Sequence, residues 1–148
     1  NRHVRVAACK ALGKIGDEKA INPILERFKK EDDFVARTDF ISYTFGKFKT
    51  EEIFLQLLEV LKSDSSPDVR AAAARCLGDY KDKKSMEYLE NSLFNDDHLI
   101  VRFYAAASMS KLGNKSTIDV LKKAANKETD ELVKKGLADA MQKLEKNK

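Results

Sequence analysis

The stretch from Val4 to Asp17 reads VRVAACKALGKIGD, and from Val69 to Asp82 the chain reads VRAAAARCLGDYKD. A helix-length phrase written twice constrains the fold more than any composition can. Each copy must form the same element and meet the same kind of neighbour. Aligned on Val4, further copies start at Arg37 (RTDFISYTFGKFKT), Val101 (VRFYAAASMSKLGN) and Val133 (VKKGLADAMQKLEK), giving spacings of 33, 32, 32 and 32 residues.

Numbering each unit from its first residue exposes one apolar stripe. Position 1 holds Val4, Arg37, Val69, Val101 and Val133, and position 5 holds Ala8, Ile41, Ala73, Ala105 and Leu137. Position 8 is small throughout: Ala11, Thr44, Cys76, Ser108, Ala140. Positions 9 and 12 carry Leu12, Phe45, Leu77, Met109, Met141 and Ile15, Phe48, Tyr80, Leu112, Leu144. Steps of 4, 3, 1 and 3 put these on one face of a helix. After a short polar turn a second stripe follows, such as Ala20, Ile21, Ile24, Leu25 and Phe28, or Ile53, Phe54, Leu57, Leu58 and Leu61. Polar turns (63–68, 95–97) close each unit, with Ser66 or Asp97 placed to cap the next helix.

One helical pair cannot bury its stripe alone, so the copies must stack. The expected fold is therefore an all-α, right-handed solenoid of about nine helices in four and a half two-helix repeats. It is one domain over 1–148, with units near 1–32, 33–64, 65–96, 97–128 and a half unit at 129–148. Two prolines and six glycines in 148 residues agree with helix. The chain opens already inside an amphipathic pattern, which reads as a piece of something longer. No apolar run reaches the ~18 residues of a membrane span.

The phrase VRxxAAxALGxIGD at a 31–33-residue period resembles the short HEAT-like repeats of the phycobilisome-lyase type, over essentially the whole chain. Tetratricopeptide repeats share the period, but their tryptophan and glycine–tyrosine spacing are missing. The resemblance implies a binding groove lined by the second helices. Its rows are Lys19/Glu52/Lys84/Ser116, Asn22/Leu55/Glu87/Asp119 and Glu26/Glu59/Asn91/Lys123. It also implies an alternative role as a bilin lyase or lyase subunit.

No residue constellation for catalysis stands out. Deoxyhypusine hydroxylase has a similar architecture but holds iron through repeated His-Glu pairs. Here the histidines are His3 and His98, each followed by an apolar residue and about three units apart. No metal or cofactor is expected. Cys9 and Cys76 take small-residue slots with a unit between them, too far for a disulfide, and read as buried thiols of a reducing, cytoplasmic setting. Basic residues number 13 against 12 acidic ones in 1–74, and 15 against 12 in 75–148. That mixed surface speaks against nucleic acid and leaves a protein or peptide as the expected partner of a monomer.

Two further expectations concern positions 2 and 14. Arg5, Arg70 and Arg102 share the former, and Asp17, Asp82 and Asn114 the latter, while the second copy lacks both. Their joint loss predicts that they pair as a ladder of charge-assisted bonds. Tyr43 and Phe103 fall at outward positions of the first helices.

Overall fold

The computed structural model describes residues 1–146. Among the described residues there are nine α-helices and no strand. They are α1 (Arg2–Ile15), α2 (Ile21–Lys29), α3 (Phe34–Tyr43), α4 (Glu51–Ser63), α5 (Pro67–Tyr80), α6 (Met86–Asn95), α7 (Leu99–Leu112), α8 (Thr117–Lys127) and α9 (Glu131–Lys146). The chain is the expected α-solenoid. The first helices α1, α3, α5, α7 and α9 lie side by side in chain order, while α4, α6 and α8 each pack on the first helix of the following unit.

Local chemistry sets the helix limits. Asn1 Oδ1 accepts from His3 N at 2.9 Å to start α1, and Gly16, at φ 72°, ends it in the left-handed conformation that glycine adopts at least cost. Pro67 opens α5, where a missing N–H does no harm. The expected caps differ in detail. Ser66 precedes α5 without a side-chain cap bond, and His98 rather than Asp97 caps α7, its Nδ1 accepting from Ile100 N at 3.4 Å.

Side by side, the first helices need small residues where they touch. A Cβ on Gly13 would lie 3.3 Å from Thr44 Cα, one on Gly46 3.8 Å from Cys76 Sγ, and one on Gly78 2.7 Å from Ser108 Cβ. Position 10 of each of these units therefore faces position 8 of the next. The Ser108 hydroxyl closes the gap by donating to the Ala74 carbonyl at 2.7 Å. Around this seam Val69, Ala73, Leu77, Val101, Ala105, Met109, Val133 and Leu137 are fully buried. Each larger side chain among them contributes roughly 1.5–3 kcal/mol.

Three expectations are corrected. In α1 the predicted stripe faces outward, with Val4 66% and Ile15 72% exposed, and Val6, Cys9 and Gly13 buried instead. Positions 1, 5, 8 and 12 face the preceding unit, and among the described residues no helix covers that side of α1.

The second correction is to the register of unit two. Its first helix begins one residue earlier than aligned: Ala36 is buried at position 1 and Arg37 takes the arginine position. From Thr44 onward the aligned register holds. The extra residue is absorbed where α3 stops at Tyr43 and a 3-10 turn, Phe45–Lys47, carries the chain on.

Third, the arginines do not pair with position 14. Arg5 binds Glu31 through Nε and Nη2 at 2.6 and 2.7 Å. Arg37 binds Asp64, Arg70 binds Asp96 and Arg102 binds Glu128 in the same two-pronged way, at 2.8–3.0 Å. Position 14 instead caps the turn inside each unit: Asp17, Asp82 and Asn114 accept from the N–H of Lys19, Lys84 and Ser116 at 2.9 Å. Unit two keeps its arginine, so the joint loss behind the predicted pairing was an artefact of a one-residue misalignment.

The ladder is real but has other rungs. Nη1 of Arg37 also donates to the carbonyls of Glu31 and Asp32, that of Arg70 to Asp64 and Ser65, and that of Arg102 to Asp96 and Asp97. Each of these three arginines thus ties the loop before its unit to the loop after it. The arginines hold the Glu31 and Glu128 carboxyls down at about 2. Lys134, in the half unit, pairs among the described residues with nearby Glu131 alone, at 2.8 Å.

Candidate interaction surfaces

All twelve residues of the predicted second-helix rows, from Lys19 and Asn22 to Asp119 and Lys123, are exposed. Leu55, 54% exposed, sits on α4 between Glu52 and Glu59; on α6 the neighbouring surface carries Tyr88, 40% exposed, beside Glu87. Leu61, Lys62, Glu87, Tyr88, Asn91 and Ser92 line a cleft of about 260 Å³ between the two helices. The cleft exists because second helices touch one another less than first helices do. Lys84, just before α6, comes within 3.9 Å of Glu51 at the start of α4, and Glu26 lies 4.0 Å from Lys29 and Lys30. Pairs this exposed stabilise by well under ~1 kcal/mol, so those side chains are free to meet a partner.

A larger depression, about 410 Å³, crosses the first helices instead. Ala71 and Ala72 of α5 form its floor, and the bulkier Phe34, Val35, Ile100 and Tyr104 of α3 and α7 stand around it, with Asp39, Asp68 and Arg75. Phe34 is 48% exposed. Short side chains on a middle helix flanked by long ones produce such a trough. Sequence reasoning missed it because Phe34 and Val35 precede the aligned stripe. Tyr88 was missed as well. An aromatic off the Met86–Leu89–Leu93 stripe was the available signal.

The two outward aromatics part ways. Tyr43 is exposed, with Lys10 Nζ 3.5 Å from its ring centre. Phe103 is half-buried and lies over Gly136, where a Cβ would come within 2.7 Å of its ring. It is a packing residue.

Neither thiol presents a nucleophile. Cys9 and Cys76 are buried and free, and burial pushes them up to about 11 and about 12. Burial likewise raises the Tyr80 hydroxyl, which donates to the Phe48 carbonyl. No group of three or more metal-ligating side chains and no helix long and apolar enough to cross a membrane occurs among the described residues.

Stacked helix pairs tied by an arginine ladder define a helical-repeat protein. The family model for HEAT repeats matches residues 1–43 and 54–142, most of the chain, and the chain belongs to that family. The unmatched stretch, 44–53, is where unit two breaks its first helix. No curated protein matches the chain.

Proposed function

We propose that the chain is a non-enzymatic protein-interaction module that takes a protein or peptide segment on the face of its second helices. The observation that carries this reading is two exposed apolar residues on adjacent second helices, Leu55 of α4 between Glu52 and Glu59, and Tyr88 of α6, which lines the cleft beside Glu87. Apolar anchors among carboxylates and the cleft-lining Lys62 suit a partner segment with apolar side chains flanked by charged ones. The division of labour fits a repeat scaffold, where the core recurs and outward residues vary.

The trough over α5 supports a second reading, because its aromatic rim is the larger concavity. The two separate cleanly. Partner capture from native extract is expected to weaken at least tenfold, about 1.4 kcal/mol, in Leu55→Lys/Glu59→Lys and to persist in Phe34→Ser/Tyr104→Ser. The reverse pattern transfers the site to the trough. The bilin-handling role implied by the lyase-type resemblance has its own test: a shift in the visible absorbance of an added open-chain tetrapyrrole. Such a shift, lost in Phe34→Ser/Tyr104→Ser, would replace the interaction reading.

A further inference from the structure

Two acidic residues are exceptions to the repeat. In the corrected register Asp39 of α3, Ala72 of α5 and Tyr104 of α7 share one position, which holds Ala7 in unit one and Gly136 in unit five. One turn earlier, Asp68 stands between Val35 and Ile100, with His3 and Leu132 in the outer units. Neither position carries another carboxylate. The bond from Arg75 Nη2 to Ser42 Oγ, 2.9 Å long, joins α5 to α3 in this same alignment.

Both carboxylates line the trough over α5, and neither has a hydrogen bond or ion pair among the described residues. In the neighbouring loops, by contrast, Asp64, Asp96 and Glu128 each bind an arginine. Asp68 lies in the first turn of α5, where a carboxylate favours the helix end. Asp39, in the middle of α3, has no such role. Arg75 is the cation among the lining residues. It lies seven residues beyond Asp68, about 10 Å along the helix, and is turned to Ser42. The remaining walls are apolar. Ala71 and Ala72 form the floor, the exposed Phe34 stands on one side, and Tyr104, held edge-to-face by Phe103 at 5.4 Å, on the other. Two unanswered carboxylates beside two rings attract a cation.

We propose that the trough is a binding site for an arginine side chain of a partner peptide segment that carries apolar residues on either side of that arginine. Such a site rests on the trough taking a partner and owes nothing to the second-helix cleft. The guanidinium would lie over Ala71 and Ala72, its edge donating to Asp39 and Asp68 while its flat face meets a ring. Five N–H donors around a plane can serve two separate carboxylates and a ring at once, whereas a lysine ammonium is a compact point charge. The apolar neighbours of the arginine would cover Val35 and Ile100. An acidic segment is the poorer occupant, because it would set its charge against both carboxylates to reach Arg75 alone.

The test is a proton–nitrogen NMR titration of the whole chain with acetyl-Leu-Ala-Arg-Ala-Leu-amide, in which both leucines and the arginine share one side of an extended chain. The amides of Asp39, Ala71, Ala72 and Tyr104 are expected to shift. Affinity is expected to be at least tenfold higher than for the glutamine version of the peptide, and severalfold higher than for the lysine version. Asp39→Asn/Asp68→Asn is expected to bring the arginine peptide down to the glutamine one and leave the glutamine one unchanged. Leu55→Lys/Glu59→Lys is expected to alter neither. A lysine or glutamine version that binds as tightly, tighter binding of a glutamate version, or no shift of the trough amides at millimolar peptide would each overturn the proposal. So would carboxylate variants that lower the melting midpoint and leave the affinity intact, which would restrict Asp68 to its helix end. If Phe34→Ser/Tyr104→Ser abolishes partner capture while Asp39→Asn/Asp68→Asn changes neither capture nor peptide affinity, the trough holds a partner and the arginine site falls.

Discussion

Units two and three fill the same place in the repeat by opposite means. In unit three, α5 is an unbroken helix of fourteen residues with alanines on both faces, and the neighbouring first helices close around it. In unit two, α3 stops after ten residues and the remaining space is filled by Phe40, Phe45 and Phe48, with Phe28 packed on the Phe40 and Phe45 rings at 6.1 and 4.9 Å. The contrast shows where a stack of this kind tolerates irregularity. The ends of the helix must meet the ladder and the next turn, whereas an extra residue between them can be taken up by a helix break and bulkier side chains.

The largest expected effect is at Ala73, fully buried in α5. Ala73→Asp places a charge with no partner in the closest-packed part of the stack. The expected cost is about 3–5 kcal/mol, a large share of a typical ~5–15. Circular dichroism should show the neighbouring units melting with it, because stability here resides in interfaces between units.

Position 10 differs between the two units as well. Gly78→Ala pushes a methyl into Ser108, while Gly46→Ala meets only Cys76 Sγ at contact distance. Helix propensity alone would favour alanine in α5 by about 1 kcal/mol. A loss of about 1–3 kcal/mol in Gly78→Ala, against less than about 0.5 in Gly46→Ala, is expected from urea melts. A stabilised Gly78→Ala would mean that the seam is looser than described.

The ladder crosses both units and gives a pH dependence with a definite sign. Glu31 lies near 2 in the folded chain against an ordinary 4.5, chiefly because of its hydrogen bond with Arg5. It therefore stabilises fully above about pH 4.5, and that contribution fades as pH falls toward 2. Glu128, held down by Arg102, behaves alike. Glu31→Gln should lower stability at pH 7 by roughly 1–2 kcal/mol, with the deficit shrinking below pH 4.

The smallest effect runs upward. The Thr44 hydroxyl is buried without a partner among the described residues, in the slot where Ser108 has one. Thr44→Val keeps the shape and removes the orphan oxygen, and a gain of about 1 kcal/mol is expected. Should that variant be less stable than the parent, the hydroxyl has a partner that the packing does not reveal.

The architecture was legible because core positions repeat every 32 or 33 residues, and a period survives substitutions that a single motif would not. The stripes of α5, α7 and α9, the small residues at position 8 and the exposure of the second-helix rows all followed from spacing. The ladder's partners were legible as well but were overlooked: Glu31, Asp64, Asp96 and Glu128 recur at spacings of 33, 32 and 32 residues and are acidic in all four units, whereas the position of Asp17 and Asp82 is interrupted by Thr50. Arg37 was misplaced because an alignment without gaps cannot see a residue absorbed at a helix break. The trough depends on the relative heights of side chains on three helices, a tertiary quantity that no one-dimensional pattern carries.

Unit two also comes with its own gauges. Cys9 sits at the seam between α1 and α3, and Cys76 at the seam between the 3-10 turn and α5. Protonated and covered, neither can react until its seam parts. The rate at which each takes up a thiol reagent therefore reports how often one particular joint breathes. Two native cysteines thus read out, without any engineering, how the break in unit two divides the motion of the stack.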